Sequence, residues 1–183
     1  MISKRVYEGS TLIKPEEVGV YYDKTYSDQH IKKILNENRI IASVGVSLNP
    51  IRPSYFVSRY LSRRGYNIIP VNPAYAGQFL WGNLAYSQLC DIAEDIQMVQ
   101  IFRKSEAVPA IIEDAITHLP KLKTIWMQIG VMHADAAQKA RKHGLQVIQN
   151  LCPKMEHQRL SGELGKYGIN TGLITSRLHP LSY

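Results

Sequence analysis

Between Ile40 and Arg64 the chain sets a short apolar run, a loop of small and turn-forming residues and a helical pattern in a spacing that can bind an anion. Ile40-Ile-Ala-Ser-Val-Gly-Val-Ser47 reads as a buried strand that runs into Gly45, Val46 and Ser47. Leu48, Asn49, Pro50 and Ile51 then lead to Arg52, and Pro53, Ser54 and Tyr55 open the helical segment. A helix start presents unpaired N–H groups and the positive end of its dipole. Proline suits the first helical position, because no N–H is needed there. Arg52, one residue earlier, can offer its planar fork to phosphate oxygens, the alternative being a solvated loop arginine. The loop has neither the three spaced glycines of the dinucleotide fingerprint nor the Gly-Lys-Ser/Thr of a P-loop. A phosphate cradle of another kind is predicted.

Charge placement supports this. From Ile41 to Cys90 there is no aspartate or glutamate, while Arg52, Arg59, Arg63 and Arg64 are all present, so over half of the net charge of +7 falls in this segment. The second apolar run, residues 66–71, ends in Pro70-Val-Asn-Pro73. A site for NAD usually needs a carboxylate at this place to accept the ribose hydroxyls. Asn72 followed by Pro73 fits an adenine nucleotide with an extra ribose phosphate better, and a rigid turn is a compatible explanation.

Other strand exits carry polar groups. Gln128 and Gly130 follow the fourth strand, and an amide that both donates and accepts suits a ligand that itself carries amides. Arg103 ends the third strand, where it can equally cap the sheet. Cys152 follows the fifth strand; a thiol nucleophile would need a nearby base such as His157 or His133, and most lone cysteines are small buried hydrophobes. Cys90 is placed on an apolar helix face. The six histidines show no metal-type spacing with each other or with the two cysteines, so no metal site is expected.

Five near-continuous apolar runs, residues 40–46, 66–71, 97–102, 123–127 and 145–149, are predicted as parallel strands covered on both faces. Helices are predicted from Asp28 as cap, over 53–64 with Gly65 as stop, over 105–118 with Ser105 as cap, over 134–143, and from Glu156 to Leu164. Alternation of strand and helix implies an α/β doubly wound sheet. A reversal after the first strand gives the order 3-2-1-4-5, counting strands along the chain, with the ligand at the carboxyl ends of strands one, two and four.

The 183 residues suffice for one core, and 45% hydrophobic content is ordinary for a globular chain. No apolar run reaches membrane-spanning length, no secretory signal is visible and the two cysteines form no motif, so a cytoplasmic protein without a membrane partner is expected. No like-charge run or recognition pattern points to nucleic acid. Residues 1–27 read as an arm, 28–150 as the domain and 151–183 as a tail packed on it; self-association is left open.

The chain resembles the CoA-binding domain family, small Rossmann-like proteins similar to the nucleotide-binding domain of the succinyl-CoA synthetase alpha subunit. The resemblance rests on Val44-Gly-Val-Ser47, Arg52-Pro-Ser-Tyr55, Tyr60-Leu61, Gly65-Tyr66, Pro70-Val-Asn-Pro73 and Ala76-Gly77. It continues through Phe102-Arg103, Ser105-Glu-Ala-Val108, Trp126-Met-Gln-Ile-Gly130, Cys152-Pro-Lys-Met-Glu-His157 and Gly168-Ile-Asn-Thr-Gly172, and covers roughly residues 28–175. It implies a Rossmann-like, five-stranded parallel sheet that binds coenzyme A or an acyl-CoA without evident catalytic machinery. Phe102 and Arg103 would edge the adenosine pocket, and Asn150 stands where many members carry aspartate. Two alternatives remain: an NADP-dependent oxidoreductase, and a thiol-dependent acyl-transfer or redox protein acting through Cys152.

Overall fold

A computed structural model describes residues 26–161. The expected arm up to residue 25, and the expected tail beyond residue 161 with its Gly168–Gly172 motif, lie outside the described residues. Helix α1 (Asp28–Glu37) is capped by Ser27, whose hydroxyl accepts from the His30 N–H at 3.2 Å. The expected cap, Asp28, sits instead in the first turn, where its charge suits the helix dipole. The chain continues through β1 (Ile40–Val44), α2 (Pro53–Ser62), β2 (Asn67–Val71), a hairpin of β3 (Phe79–Leu80) and β4 (Asn83–Leu84), and β5 (Met98–Ile101). Then follow α3 (Val108–His118), β6 (Thr124–Met127), α4 (Ala134–Lys142), β7 (Gln146–Ile148) and α5 (Pro153–Leu160).

Five strands form one parallel sheet in the order β2-β1-β5-β6-β7, the predicted Rossmann-like α/β architecture. Every residue of β5 and β6 is buried, which explains why these strands read as unbroken apolar runs. Val99, Ile125 and Val147 point to one face and pack with Ile112 and Ala115 of α3 and Ala137 and Ala140 of α4. Ile41, Met98, Trp126 and Ile148 point to the other, against Ile31 and Ile34 of α1, Val57 and Leu61 of α2 and Met155 of α5. Among the described residues no helix is long and apolar enough to cross a membrane.

The order within the sheet corrects the expectation. In chain order it is 2-1-3-4-5, because β5 pairs with β1 rather than lying outside β2. The outer edge of β2 is already taken. Tyr86 donates to the Pro70 carbonyl at 2.9 Å, Asn72 donates back to the Tyr86 carbonyl at 2.9 Å, and the Asn83 side chain donates to the Ile68 carbonyl at 3.0 Å. Pro70 turns its ring nitrogen, which has no hydrogen to donate, to that same edge, as an edge strand allows and an inner strand does not. The crossover after β2 therefore seals the sheet, and the next strand must join on the far side of β1.

Three local expectations also change. Cys90 lies exposed in a 3-10 turn (Leu89–Asp91), since the segment after β4 is too irregular for the apolar helix face expected of it. Ser105 opens a 3-10 turn ahead of α3 and accepts from the Met132 N–H at 3.1 Å, so it links two loops instead of capping a helix. Helix α5 begins at Pro153, with Cys152 as its N-cap, three residues before the expected start.

Candidate functional site

The carboxyl ends of β1, β5, β6 and β7 open onto a cleft of about 470 Å³. Gly45 and Ser47 from the loop after β1 form one wall with Arg52, Pro53, Ser54, Phe56 and Val57 at the start of α2. Phe102, Gln128, Ile129, Val131 and Cys152 form the other. The sheet order explains the crevice. Helices α2 and α3 leave the neighbouring strands β1 and β5 toward opposite faces, which makes this a topological switch point. The end of β2, expected to take part, does not line the cleft.

The loop after β1 is shaped by its own side chains. The Ser47 hydroxyl accepts from the Asn49 N–H at 3.1 Å, the Asn49 side chain accepts from the Ile51 N–H at 3.1 Å, and the Asn49 carbonyl accepts from Arg52 at 3.0 Å. These turns leave Pro50 and Arg52 exposed. Among the described residues the N–H groups of Val46, Ser47 and Leu48 donate to no acceptor. Arg52 is the extended N-cap of α2 and makes no side-chain capping bond. Gly45 adopts φ +84°, and a Cβ there would lie 2.8 Å from Cδ of Arg103 and 3.2 Å from the Phe102 carbonyl oxygen. Glycine is thus required by backbone conformation and by the approach of the β5 exit.

Several expected site residues brace the cleft without lining it. Val46 is buried, and its carbonyl accepts from the Asn72 side chain at 2.6 Å. The other end of that amide accepts from the Ala74 N–H at 3.0 Å, so Asn72 caps the 3-10 turn that starts at Pro73. Asn150 takes φ +57°, a conformation asparagine tolerates, and accepts from the Gly130 N–H at 2.8 Å. Tyr55 meets Trp81 edge to face, ring centres 5.5 Å apart. Trp81 and Gly82 both have positive φ between β3 and β4, the backbone of a type I′ hairpin turn.

Sequence reading missed the apolar walls: Pro53, Phe56, Val57, Ile129 and Val131. Their residue types are those of any core, so no signal distinguished them. The lining contains Arg52 and no acid, and Arg103 lies exposed at the Gly45 rim. Gln128 is only 6% exposed, and its Nε2 has no hydrogen-bond partner. Cys152 is 3% exposed. Burial pushes its thiol above the usual range, and the N–H groups of Met155 and Lys154 act in the opposite sense. Its suggested bases have partners of their own: His157 Nδ1 meets the Tyr60 hydroxyl at 3.0 Å, and His133 accepts from the Ala136 N–H at 3.3 Å.

Apolar walls, a cationic rim and unused donors at a helix start suit a ligand with a phosphate end and an alkyl-amide arm. Residues 39–158 match the CoA binding domain family. The chain belongs to that family. Over 132 residues this CoA-binding domain is 38% identical to the uncharacterized protein YneT of Bacillus subtilis (strain 168), a match covering 72% of this chain and 94% of YneT. It is 35% identical to a hypothetical protein from Pyrococcus horikoshii OT3, with a TM-score of 0.70 over 75% of this chain and 94% of that one. A Thermus thermophilus structure, cell-free ID.343, matches at 30% identity with a TM-score of 0.70, over 74% of this chain and 99% of that one. CoA binding in general is what family membership brings.

Proposed function

We propose that this chain holds coenzyme A or an acyl-CoA in the cleft at the ends of β1, β5, β6 and β7, as a binding protein without a catalytic step of its own. The observation that carries this reading is the pairing of unused donors at its two walls. The unused N–H of Ser47, with the start of α2, supplies a seat for the diphosphate. Across the cleft, Gln128 lines the wall, and its Nε2, buried without an acceptor in the protein, turns to a pantetheine amide carbonyl when the ligand is bound. Arg52 then faces phosphate, and Phe56, Val57, Ile129 and Val131 take the alkyl parts of the arm. The acid-free segment 41–90 favours the extra phosphate on the ribose.

Calorimetry with CoA, dephospho-CoA, NADP and NAD tests the reading. CoA should bind most tightly of the four; equal affinity for CoA and dephospho-CoA removes recognition of the ribose phosphate. Arg52→Ala should weaken CoA binding by about 1.5–3 kcal/mol, the range for a charge-assisted contact. Its melting temperature without ligand should stay close to that of the parent, because the exposed Arg52 side chain caps nothing. Unaltered affinity would place the phosphates elsewhere.

A further inference from the structure

Cys152 lines the cleft, yet binding of CoA gives its sulfur no task. Its position relative to Gln128 does. The Leu151 N–H donates to the Met127 carbonyl at 3.4 Å, and Trp126 Nε1 donates to the Leu151 carbonyl at 2.7 Å. These two bonds lock the exits of β6 and β7 together, and the next residue on each side is Gln128 and Cys152. An unsatisfied buried amide donor and a thiol therefore share one stretch of cleft wall. In CoA the same two features follow one another: the last amide carbonyl of the pantetheine arm is joined through a short cysteamine unit to the sulfur. A ligand that satisfies Gln128 with that carbonyl brings its sulfur to the Cys152 side.

We propose that Cys152 is a thiol–disulfide exchange site for CoA-containing disulfides seated in the cleft. The proposal rests on the reading of the cleft as a CoA site. The Cys152 thiol loses its proton to water, and the thiolate attacks one sulfur of the bound CoA disulfide. The disulfide bond breaks as a bond from Sγ to that sulfur forms, and the second CoA leaves as a thiolate that takes a proton from solvent. Cys152 is oxidised, the departing sulfur is reduced, and no further oxidant is consumed. The product is one CoA held covalently in its own binding site, a record of the oxidation state of the CoA pool.

Burial supplies selectivity. With 3% of Cys152 exposed, and that on the cleft, a disulfide without a CoA portion has no docked route to Sγ. Cys90 is a free, exposed cysteine open to small disulfides, so it is removed in the test.

The test uses the full chain with Cys90→Ser, incubated with CoA disulfide or glutathione disulfide at mildly alkaline pH and read by intact mass. The expected result is addition of one CoA, at a rate that saturates with CoA disulfide, and about tenfold slower addition of glutathione, since exchange rates depend on access. The adduct should vanish in both Cys152→Ser and Cys152→Ala, so that a folding defect in one variant does not decide the matter. Equal rates with the two disulfides, or an adduct that survives in the Cys152 variants, overturns the proposal. Calorimetry of the Cys90→Ser chain with reduced CoA separates the levels. Binding without any adduct overturns the exchange site alone, while absence of binding overturns the reading of the cleft as well.

Discussion

Asn72 and Val46 are joined side chain to backbone: Nδ2 of Asn72 donates to the Val46 carbonyl at 2.6 Å, which pins the loop after β1 to the exit of β2. Its Oδ1 is occupied by the Ala74 N–H at 3.0 Å. Both ends of the amide thus serve the scaffold. Where a site for NAD would aim a carboxylate at ribose, this chain ties down the loop after β1.

Asn72→Asp should therefore not create an NAD site. It replaces the donor to Val46 with an acceptor facing an acceptor, and should lower stability by about 1–3 kcal/mol while loosening the loop. Urea denaturation measures the first effect. Calorimetry should show weaker CoA binding and no gain for NAD; a gain would mean that the side chain faces the ligand.

Gly45→Ala carries two separable costs. The first is the φ of +84°, and the second is the 2.8 Å approach of a new Cβ to Arg103 Cδ. A loss of about 1–3 kcal/mol is expected from the backbone strain and the contact together, with loss of CoA binding. Adding Arg103→Ala should restore the part due to the side chain and leave the part due to φ. Strictly additive effects of the two substitutions would show that Arg103 moves aside at no cost.

Much of this architecture was legible from residue type alone, and the limits have physical causes. The five strands of the main sheet appear as apolar runs because both faces of the sheet are covered. The order of the strands was misread even though Pro70 marks β2 as an edge strand, a signal in plain view. Gly45, Ser47, Arg52, Ser54, Phe102, Gln128 and Cys152 do meet in one cleft. The roles of Asn72 and Asn150 were not legible, since an asparagine side chain serves the scaffold or a ligand equally well and only its direction decides. Trp81 was also hidden, because asparagine or glycine, not tryptophan, usually marks its turn position.

Tyr66 predicts how stability responds to alkali. Its hydroxyl donates to the Leu35 carbonyl at 3.0 Å. Burial raises its pKa above the ordinary 10.0, with the Arg39 guanidinium, 4.8 Å from the ring centre, acting in the opposite sense. The folded state therefore holds the proton more tightly than the unfolded chain. This contribution is complete below pH 10 and is lost as pH rises through the folded value. Tyr66→Phe should be less stable by about 1 kcal/mol at neutral pH, as the Leu35 carbonyl loses its donor. Its stability should fall less steeply above pH 10 than that of the parent. Denaturation curves from pH 8 to about pH 11 compare the slopes, and identical slopes would exclude Tyr66 as a source of the alkaline loss.

Gln128→Leu should separate stability from binding. In the parent, Nε2 is buried without a partner, which carries the desolvation cost of an amide donor. Leucine has similar bulk and no polar atom. The backbone bonds at this position, Gln128 N–H to the Ile101 carbonyl at 3.3 Å and Val131 N–H to the Gln128 carbonyl at 2.9 Å, do not involve the side chain. The variant should melt higher than the parent without ligand, by the equivalent of about 1–2 kcal/mol. It should also bind CoA more weakly by about 1–2 kcal/mol, because the pantetheine carbonyl then meets a hydrocarbon wall. Opposite changes in the two quantities are what a ligand-directed donor requires. If stability and affinity fell together, Gln128 would be a structural residue satisfied by buried water, and the arm of the ligand would run along another part of the cleft.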